Sequence, residues 1–171
     1  MLAAALLALF VAACGGTKIS TLPAVSGNAG STPIRTIALA PNGGLLADAV
    51  GVELANRGYT IIDAADTSSM MVRLNMNEVE VQKPENMQKF KSQGIDAFLS
   101  VRANGGYDGQ PQGASARVVS TDTGKLLAGV TWQNAWGGQA GSIADRTMRK
   151  GLNEAATEIA IALANALPKG R

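Results

Sequence analysis

The pattern of apolar and polar positions predicts alternating strands and helices from residue 34 onwards. Residues 34–41 are apolar on both faces and end at a proline, as a buried strand does. Residues 45–58 place apolar side chains at helical spacing before a terminal glycine, which predicts a helix. A second strand is predicted over 59–66. Residues 67–77 begin with a residue suited to an N-cap and fit either a short helix or an extended strand.

The second half of the chain continues this alternation. Residues 83–94 predict a helix, because Pro84 suits a first helical position and Gly94 suits a helix end. A strand is predicted to begin at Ile95, and two further strands flank a turn at residues 121–125.

The last predicted element is one long amphipathic helix over residues 142–167. Ser142, with Asp145 three residues later, resembles a capping box. One apolar stripe follows at helical spacing: Ile143, Met148, Leu152, Ala155, Ile159 and Leu163. The complete order, β-α-β-(α)-α-β-β-β-α, predicts an α/β fold with a single mixed β-sheet and helices packed against it.

Residues 1–13 form an unbroken apolar run that precedes this domain. As a helix the run would span about 20 Å, short of the ~30 Å hydrocarbon core of a bilayer. A signal peptide therefore fits better than a membrane span, although no Lys or Arg precedes the run as it does in most signal peptides.

The apolar run ends in Val-Ala-Ala-Cys, at Val11 to Cys14, and this stretch resembles the lipobox of bacterial lipoproteins. The resemblance implies cleavage before Cys14, a covalent lipid on its thiol, and no other cofactor. Gly15 after the cysteine implies, by the same resemblance, an outer-membrane protein whose domain faces the periplasm. The alternative is a free cysteine in an ordinary helix.

Residues 14–33 are rich in Gly, Ser, Thr, Pro and Ala and have no periodicity. This composition predicts a flexible linker behind the lipidated cysteine, with a reach of roughly 25 Å. The chain is thus expected to consist of a signal peptide over 1–13, a lipidated linker over 14–33 and a periplasmic α/β domain over 34–171.

Composition argues against catalysis and against nucleic acid as a partner. The chain has no histidine and one cysteine, so it lacks the commonest general base and the commonest metal ligand. The nearest carboxylate pairs, Asp63 with Asp66 and Glu78 with Glu80, fit an exposed surface. The formal net charge is +2 with no basic stripe, so neither an enzyme nor a nucleic-acid-binding protein is expected.

Three aromatic residues are candidates for contact with a protein partner: Tyr107, Trp132 and Trp136. Arg146 and Arg149 lie in the opening turns of the last predicted helix and could contact an acidic partner, anionic lipid or the carboxylates of peptidoglycan. The alternatives are that both tryptophans fill the core and that the arginines form a solvated face.

Three stretches, LADAVGVELANRGYTIIDAAD, SQGIDAFLSV and ARVVSTDTGKLLAG, resemble the periplasmic domain shared by the CsgG, LpoB and FlgO lipoproteins. The resemblance lies in four short motifs: Arg57-Gly58, Ile62-Asp63, Gly94 to Ala97, and Asp122 to Gly124. It implies a fold of the CsgG and TolB N-terminal type, in a non-enzymatic scaffold or regulator that binds another cell-envelope protein. The alternative that it implies is a self-assembling ring in a secretion or flagellar apparatus. A pore is not expected, because the loop over 104–113 is too short and polar to cross a membrane.

Overall fold

The computed structural model describes residues 16–22, 33–77, 80–81, 83–105, 109–139 and 141–168. The predicted signal peptide and Cys14 lie outside the described residues. The strands of the described part are β1 (Lys18–Leu22), β2 (Thr36–Leu39), β3 (Thr60–Ile62), β4 (Ala97–Gly105), β5 (Pro111–Ser120) and β6 (Leu126–Gln133). The helices are α1 (Gly44–Ala55), α2 (Ala64–Arg73), α3 (Pro84–Ser92), α4 (Ile143–Met148) and α5 (Leu152–Ala166).

All six strands form one mixed sheet in the order β1-β6-β5-β4-β2-β3. Strand β2 is parallel to both of its neighbours, β3 and β4. The remaining pairs, β4–β5, β5–β6 and β1–β6, are antiparallel. The structure therefore confirms the predicted fold class, a single mixed sheet with helices packed against it.

Helices cover the two faces of the sheet unequally. Helices α1 and α5 pack on one face over the larger core, which includes Ile37, Leu39, Leu99, Val118, Val130 and Trp132. Helices α2 and α3 pack over a smaller core on the other face, where the rings of Phe90 and Phe98 lie 5.7 Å apart. On this second face, the part of β4, β5, β6 and β1 that lies beyond α2 and α3 carries exposed polar side chains. We call this part the open face. Its exposed polar residues are Lys18, Ser20, Arg102, Arg117, Thr131 and Gln133.

Strand β1 corrects the prediction that the whole of residues 14–33 is a flexible linker. All five β1 residues are exposed, yet the strand pairs along its full length with β6, from Lys18 opposite Gln133 to Leu22 opposite Gly129. The five residues of β1, Lys-Ile-Ser-Thr-Leu, lie within a stretch of linker composition, and an edge strand needs only its backbone to pair, so the sequence did not predict this strand.

The boundary between β3 and α2 also differs from the prediction. The strand ends at Ile62 rather than at residue 66, because the Asp63 carboxylate accepts the backbone N–H of Asp66 at 2.7 Å and begins the helix. Residues 64–73 form α2. The sequence allowed either a helix or a strand over 67–77, and the structure shows a helix as far as Arg73.

The last predicted helix is divided into α4 and α5 by residues 149–151. Arg149 is extended, and the Glu154 carboxylate accepts the N–H of Gly151 at 2.6 Å to begin α5. The rotation introduced by this break moves Ile143 out of the predicted apolar stripe, and the residue is 86% exposed. The Ser142 hydroxyl does accept the N–H of Asp145, as half of a capping box.

Asp96 joins the beginnings of β2 and β4. Its carboxylate accepts the backbone N–H groups of Arg35 and Thr36, each at 3.0 Å, and pairs with the Lys91 ammonium at 2.7 Å. Burial opposes ionisation of this carboxyl, but the bond from Lys91 and the two N–H groups outweigh it, so the pKa of Asp96 is lowered.

We expect Asp96 to make the domain sensitive to acid. Because its pKa is lower in the folded than in the unfolded state, the stabilisation is complete above its ordinary pKa of 3.8 and is lost as the pH falls through the folded value. Asp96→Asn should lower the Tm at pH 7 and make the further fall of the Tm below about pH 4 shallower than in the parent chain. The measurement is Tm against pH, with Asp48→Asn on the exposed side of α1 as control. Equal acid dependence in the parent and Asp96→Asn chains would contradict this assignment.

No helix among the described residues is long and apolar enough to cross a membrane.

Candidate protein-binding surface

The two tryptophans lie in opposite environments. Trp132 on β6 is 1% exposed, and its indole N–H donates to the Glu158 carboxylate at 2.7 Å. Trp136, three residues after the end of β6, is 58% exposed. Trp132 is therefore corrected from a candidate partner contact to a core residue, whereas Trp136 presents its ring to solvent.

Gly137 holds the chain after Trp136 against helix α4. A Cβ atom at this position would lie 2.5 Å from the Ala144 carbonyl oxygen, so the close approach requires glycine. Ala144 follows Ile143, and Gly137 follows Trp136. The contact thus places Trp136 and Ile143 each one residue before the point where the two segments touch. We call Trp136 and Ile143 the Trp136 surface.

Asp145 holds α4 in place beneath this surface. Its carboxylate is fully buried and accepts the backbone N–H of Gly141 and the Nε–H of Arg149, both at 3.0 Å. The N–H of Gly141 and the Arg149 guanidinium lower the pKa of Asp145, so this carboxyl is ionised in the folded protein.

Arg146 in α4 and Arg149 at the end of α4 differ in their exposure to solvent. The Arg149 side chain is 8% exposed and pairs with Asp145, so it is corrected from a candidate partner contact to a structural residue. Arg146 is exposed and follows Ile143, one of the two residues of the Trp136 surface, by three residues. Of the two predicted arginines, Arg146 therefore remains available to a partner.

Asn134 fixes the break between α4 and α5 to the end of β6. Its side-chain amide donates to the carbonyl oxygens of Pro111 and Lys150, at 2.7 and 2.9 Å, and its carbonyl accepts the N–H of Lys150 at 2.8 Å. These bonds take up both backbone groups of Lys150, the residue at the middle of the break between the two helices.

Glu158 on α5 connects the core to the beginning of the described chain. Its carboxylate accepts the indole N–H of Trp132, the Thr17 hydroxyl at 3.3 Å and the Lys150 ammonium. Burial alone would raise the pKa of Glu158. The hydrogen bonds from Lys150, Trp132 and Thr17 lower this pKa by more than burial raises it, so the net shift is downward. The carboxylate thus ties the segment before β1 to the body of the domain.

Sequence reasoning missed the structural roles of Asn134 and Glu158, the pairing of Asp145 with Arg149, and the exposure of Ile143. A strand-alternation argument could have assigned Trp132 to the core, because it is in phase with the buried Ala128 and Val130. Tyr107 and Cys14 lie outside the described residues. Among the residues described, no three His, Cys, Asp or Glu side chains are grouped so that they could hold a metal ion.

No protein-family model matches the chain, and no curated protein matches it. Solved structures do match the chain. A PelC dodecamer from Paraburkholderia phytofirmans is 15% identical, with 90% of this chain and 99% of that chain covered and a TM-score of 0.51. Lipoprotein GNA1162 from Neisseria meningitidis is 20% identical, with 78% and 99% covered and a TM-score of 0.47.

The likeness to PelC is one of fold. At this identity it carries no residue role across to this chain. Neither structure bears the name of the CsgG, LpoB or FlgO lipoproteins, so the resemblance to that family stays a prediction.

Proposed function

We propose that this protein is a non-enzymatic scaffold of the bacterial cell envelope, anchored by lipid and acting by binding protein at the Trp136 surface. The observation that carries the proposal is the exposure of two large apolar side chains, 58% for Trp136 and 86% for Ile143, on a rigid support. A single exposed apolar residue is ordinary, but an exposed tryptophan and an exposed isoleucine on two segments that touch form a candidate binding site.

The support beneath the surface strengthens this argument. Gly137, Asn134 and the Asp145–Arg149 pair hold residues 134–139 and 141–150 by close contact, hydrogen bonds and a buried ion pair. A partner then loses little free energy to ordering this segment when it binds.

The anchor is proposed on the resemblance of residues 11–14 to a lipobox, which also favours the outer membrane. Strand β1 changes what such an anchor would do. Lys18 follows Cys14 by four residues, so an anchored cysteine would lie at most about 14 Å along the chain from the beginning of β1. The domain would then be held close to the bilayer rather than at the end of a long linker.

Metabolic labelling tests the anchor. Cells that express the full chain are grown with an alkyne fatty acid, and we expect the label on the wild-type protein in the outer-membrane fraction. The matched Cys14→Ala chain should carry no label and should leave the membrane. Equal labelling of both chains, or a wild-type chain without label, would contradict the anchor.

A second candidate is that the protein bound at the Trp136 surface is another copy of the same chain. The observation that favours it is that the PelC structure which shares this fold is a dodecamer. A surface that contacts a different surface of the next copy generates a ring when the rotation closes. Under this candidate the scaffold is a homo-oligomer, and its role is to build an assembly at the membrane.

A further inference from the structure

A cleft of ≈ 570 Å³ opens between the open face of the sheet and the end of α2. Its apolar part is formed by Phe98, Val119 and Leu126 on the sheet, with Met71 and Val81 beside them. The volume is in the range of sites that hold one small molecule. None of the residues that form or support the Trp136 surface lines this cleft.

The other end of the cleft is basic. Arg102 on β4 and Arg117 on β5 both line it and are exposed, with Ser100 and Ser115 between them. The register places Arg102 opposite Ser115 and Ser100 opposite Arg117, so the two arginines are diagonal neighbours, about 7–8 Å apart at the backbone. Guanidinium groups on neighbouring side chains repel each other, and an anion bound between them removes the repulsion.

The described residues supply no such anion. None of the described residues that line the cleft is an Asp or a Glu, and no ion pair joins Arg102 or Arg117 to a carboxylate of the described chain. Serine hydroxyls and guanidinium groups together are suited to the oxygens of a carboxylate or a phosphate. Charge complementarity therefore specifies a negative group at this end.

The position in the fold favours a ligand as well. The cleft begins at Ala40 and Pro41, directly after β2, where β2 is parallel to β4. The chain leaves β2 through α1 toward one face of the sheet, and α2 and α3 return over the other face before β4. Open α/β sheets bind ligands outside the carboxyl ends of parallel strands at such a reversal.

We propose that the cleft binds a single-chain anionic amphiphile, an alkyl chain with one carboxylate or phosphate headgroup. The headgroup lies between Arg102 and Arg117, and the alkyl chain covers Phe98, Val119 and Leu126. A free inorganic anion leaves the half-buried Val119 and Leu126 in contact with water, and an uncharged alkyl chain leaves the two arginines without an anion. The amphiphile satisfies both parts at once.

Titration calorimetry of the full chain bearing Cys14→Ala, which cannot be lipidated, tests the proposal with dodecyl phosphate and with dodecanoate below their micelle concentrations. Arg102→Gln with Arg117→Gln should raise the Kd of both probes about a hundredfold, because each lost charged contact is worth roughly a factor of ten. The matched control, Arg35→Gln with Arg146→Gln, removes the same charge from exposed positions outside the cleft and should change the Kd by no more than about twofold.

Comparison of the probes identifies what is recognised. Inorganic phosphate and dodecyl maltoside should each bind at least about a hundredfold more weakly than dodecyl phosphate. Inorganic phosphate that binds as tightly as dodecyl phosphate would show a plain anion site and overturn the proposal. Dodecyl maltoside that binds as tightly, or equal affinity in the two double variants, would show unspecific apolar binding and overturn it too. Tighter binding of hexaglutamate than of dodecyl phosphate would assign the cleft to an acidic protein partner instead.

Discussion

Replacing Trp132 by alanine is expected to remove about 3–5 kcal/mol from the free energy of unfolding, the usual cost of deleting a fully buried aromatic side chain. The indole is 1% exposed between the sheet and α5, and its loss also leaves the Glu158 carboxylate without one of its hydrogen-bond donors. Urea denaturation of the full chain bearing Cys14→Ala measures the effect.

The chain contains its own control for this experiment. Trp136→Ala deletes the same side chain from a position that is 58% exposed, and the free energy of unfolding should change by no more than about 0.5 kcal/mol. Trp132→Phe should fall between the two, because it keeps a ring in the core but removes the N–H donor. Similar losses in Trp132→Ala and Trp136→Ala would mean that Trp136 also belongs to the core, and the proposed surface would have to be abandoned.

Gly137→Ala is expected to produce the second large effect, although it adds a single methyl group. The new Cβ would lie 2.5 Å from the Ala144 carbonyl oxygen and 2.7 Å from the Asp145 nitrogen, and both of these atoms are backbone. Because neither atom can rotate away, α4 must shift, at a cost of about 1–3 kcal/mol. Urea unfolding gives the cost, and faster hydrogen exchange at residues 143–149 would show where the shift occurs.

Gly105→Ala is the matched control, since a Cβ at the end of β4 would meet no atom within 4 Å. We expect that variant to be as stable as the parent chain within about 0.5 kcal/mol. If Gly137→Ala is equally stable and exchanges no faster at α4, then the close contact between residue 137 and α4 does not position Trp136.

Local patterns in the sequence were sufficient to predict the central part of the fold. The buried strand before Pro41, the helix that ends near Gly58 and the turn at residues 121–125 each depend on neighbouring residues. Periodicity and turn residues carry this information directly, so β2, α1 and the β5–β6 hairpin lie where the sequence placed them.

Elements that depend on distant residues could not be predicted in this way. The strand β1 exists because β6, more than a hundred residues later, offers its edge, and the sequence of β1 contains no sign of that partner. The division of the last helix depends on Asn134, a residue outside the helix that takes both backbone groups of Lys150. The apolar spacing in the sequence continues across the break without interruption, which is why it predicted one helix over 142–167.

The candidate surface was predicted in part. The sequence suggested that one of the two tryptophans faces the core, but the assignment depends on the strand phase of β6 and on the contact at Gly137. Arg149 was a reasonable surface residue by type, and its burial follows from the carboxylate of Asp145 four residues before it. Ile143 was counted in an apolar stripe that the break then interrupted.

Site-specific photocrosslinking in living cells tests the central claim, protein binding at the Trp136 surface, most directly. A photoreactive phenylalanine analogue replaces Trp136 in the full, lipidated chain. The control places it at Val72, which is 78% exposed on α2. We predict protein adducts at position 136 and none at position 72. An adduct of twice the mass of the chain identifies a second copy, and other masses identify a different envelope protein. Crosslinks to lipid alone, or equal adducts at both positions, would contradict the claim.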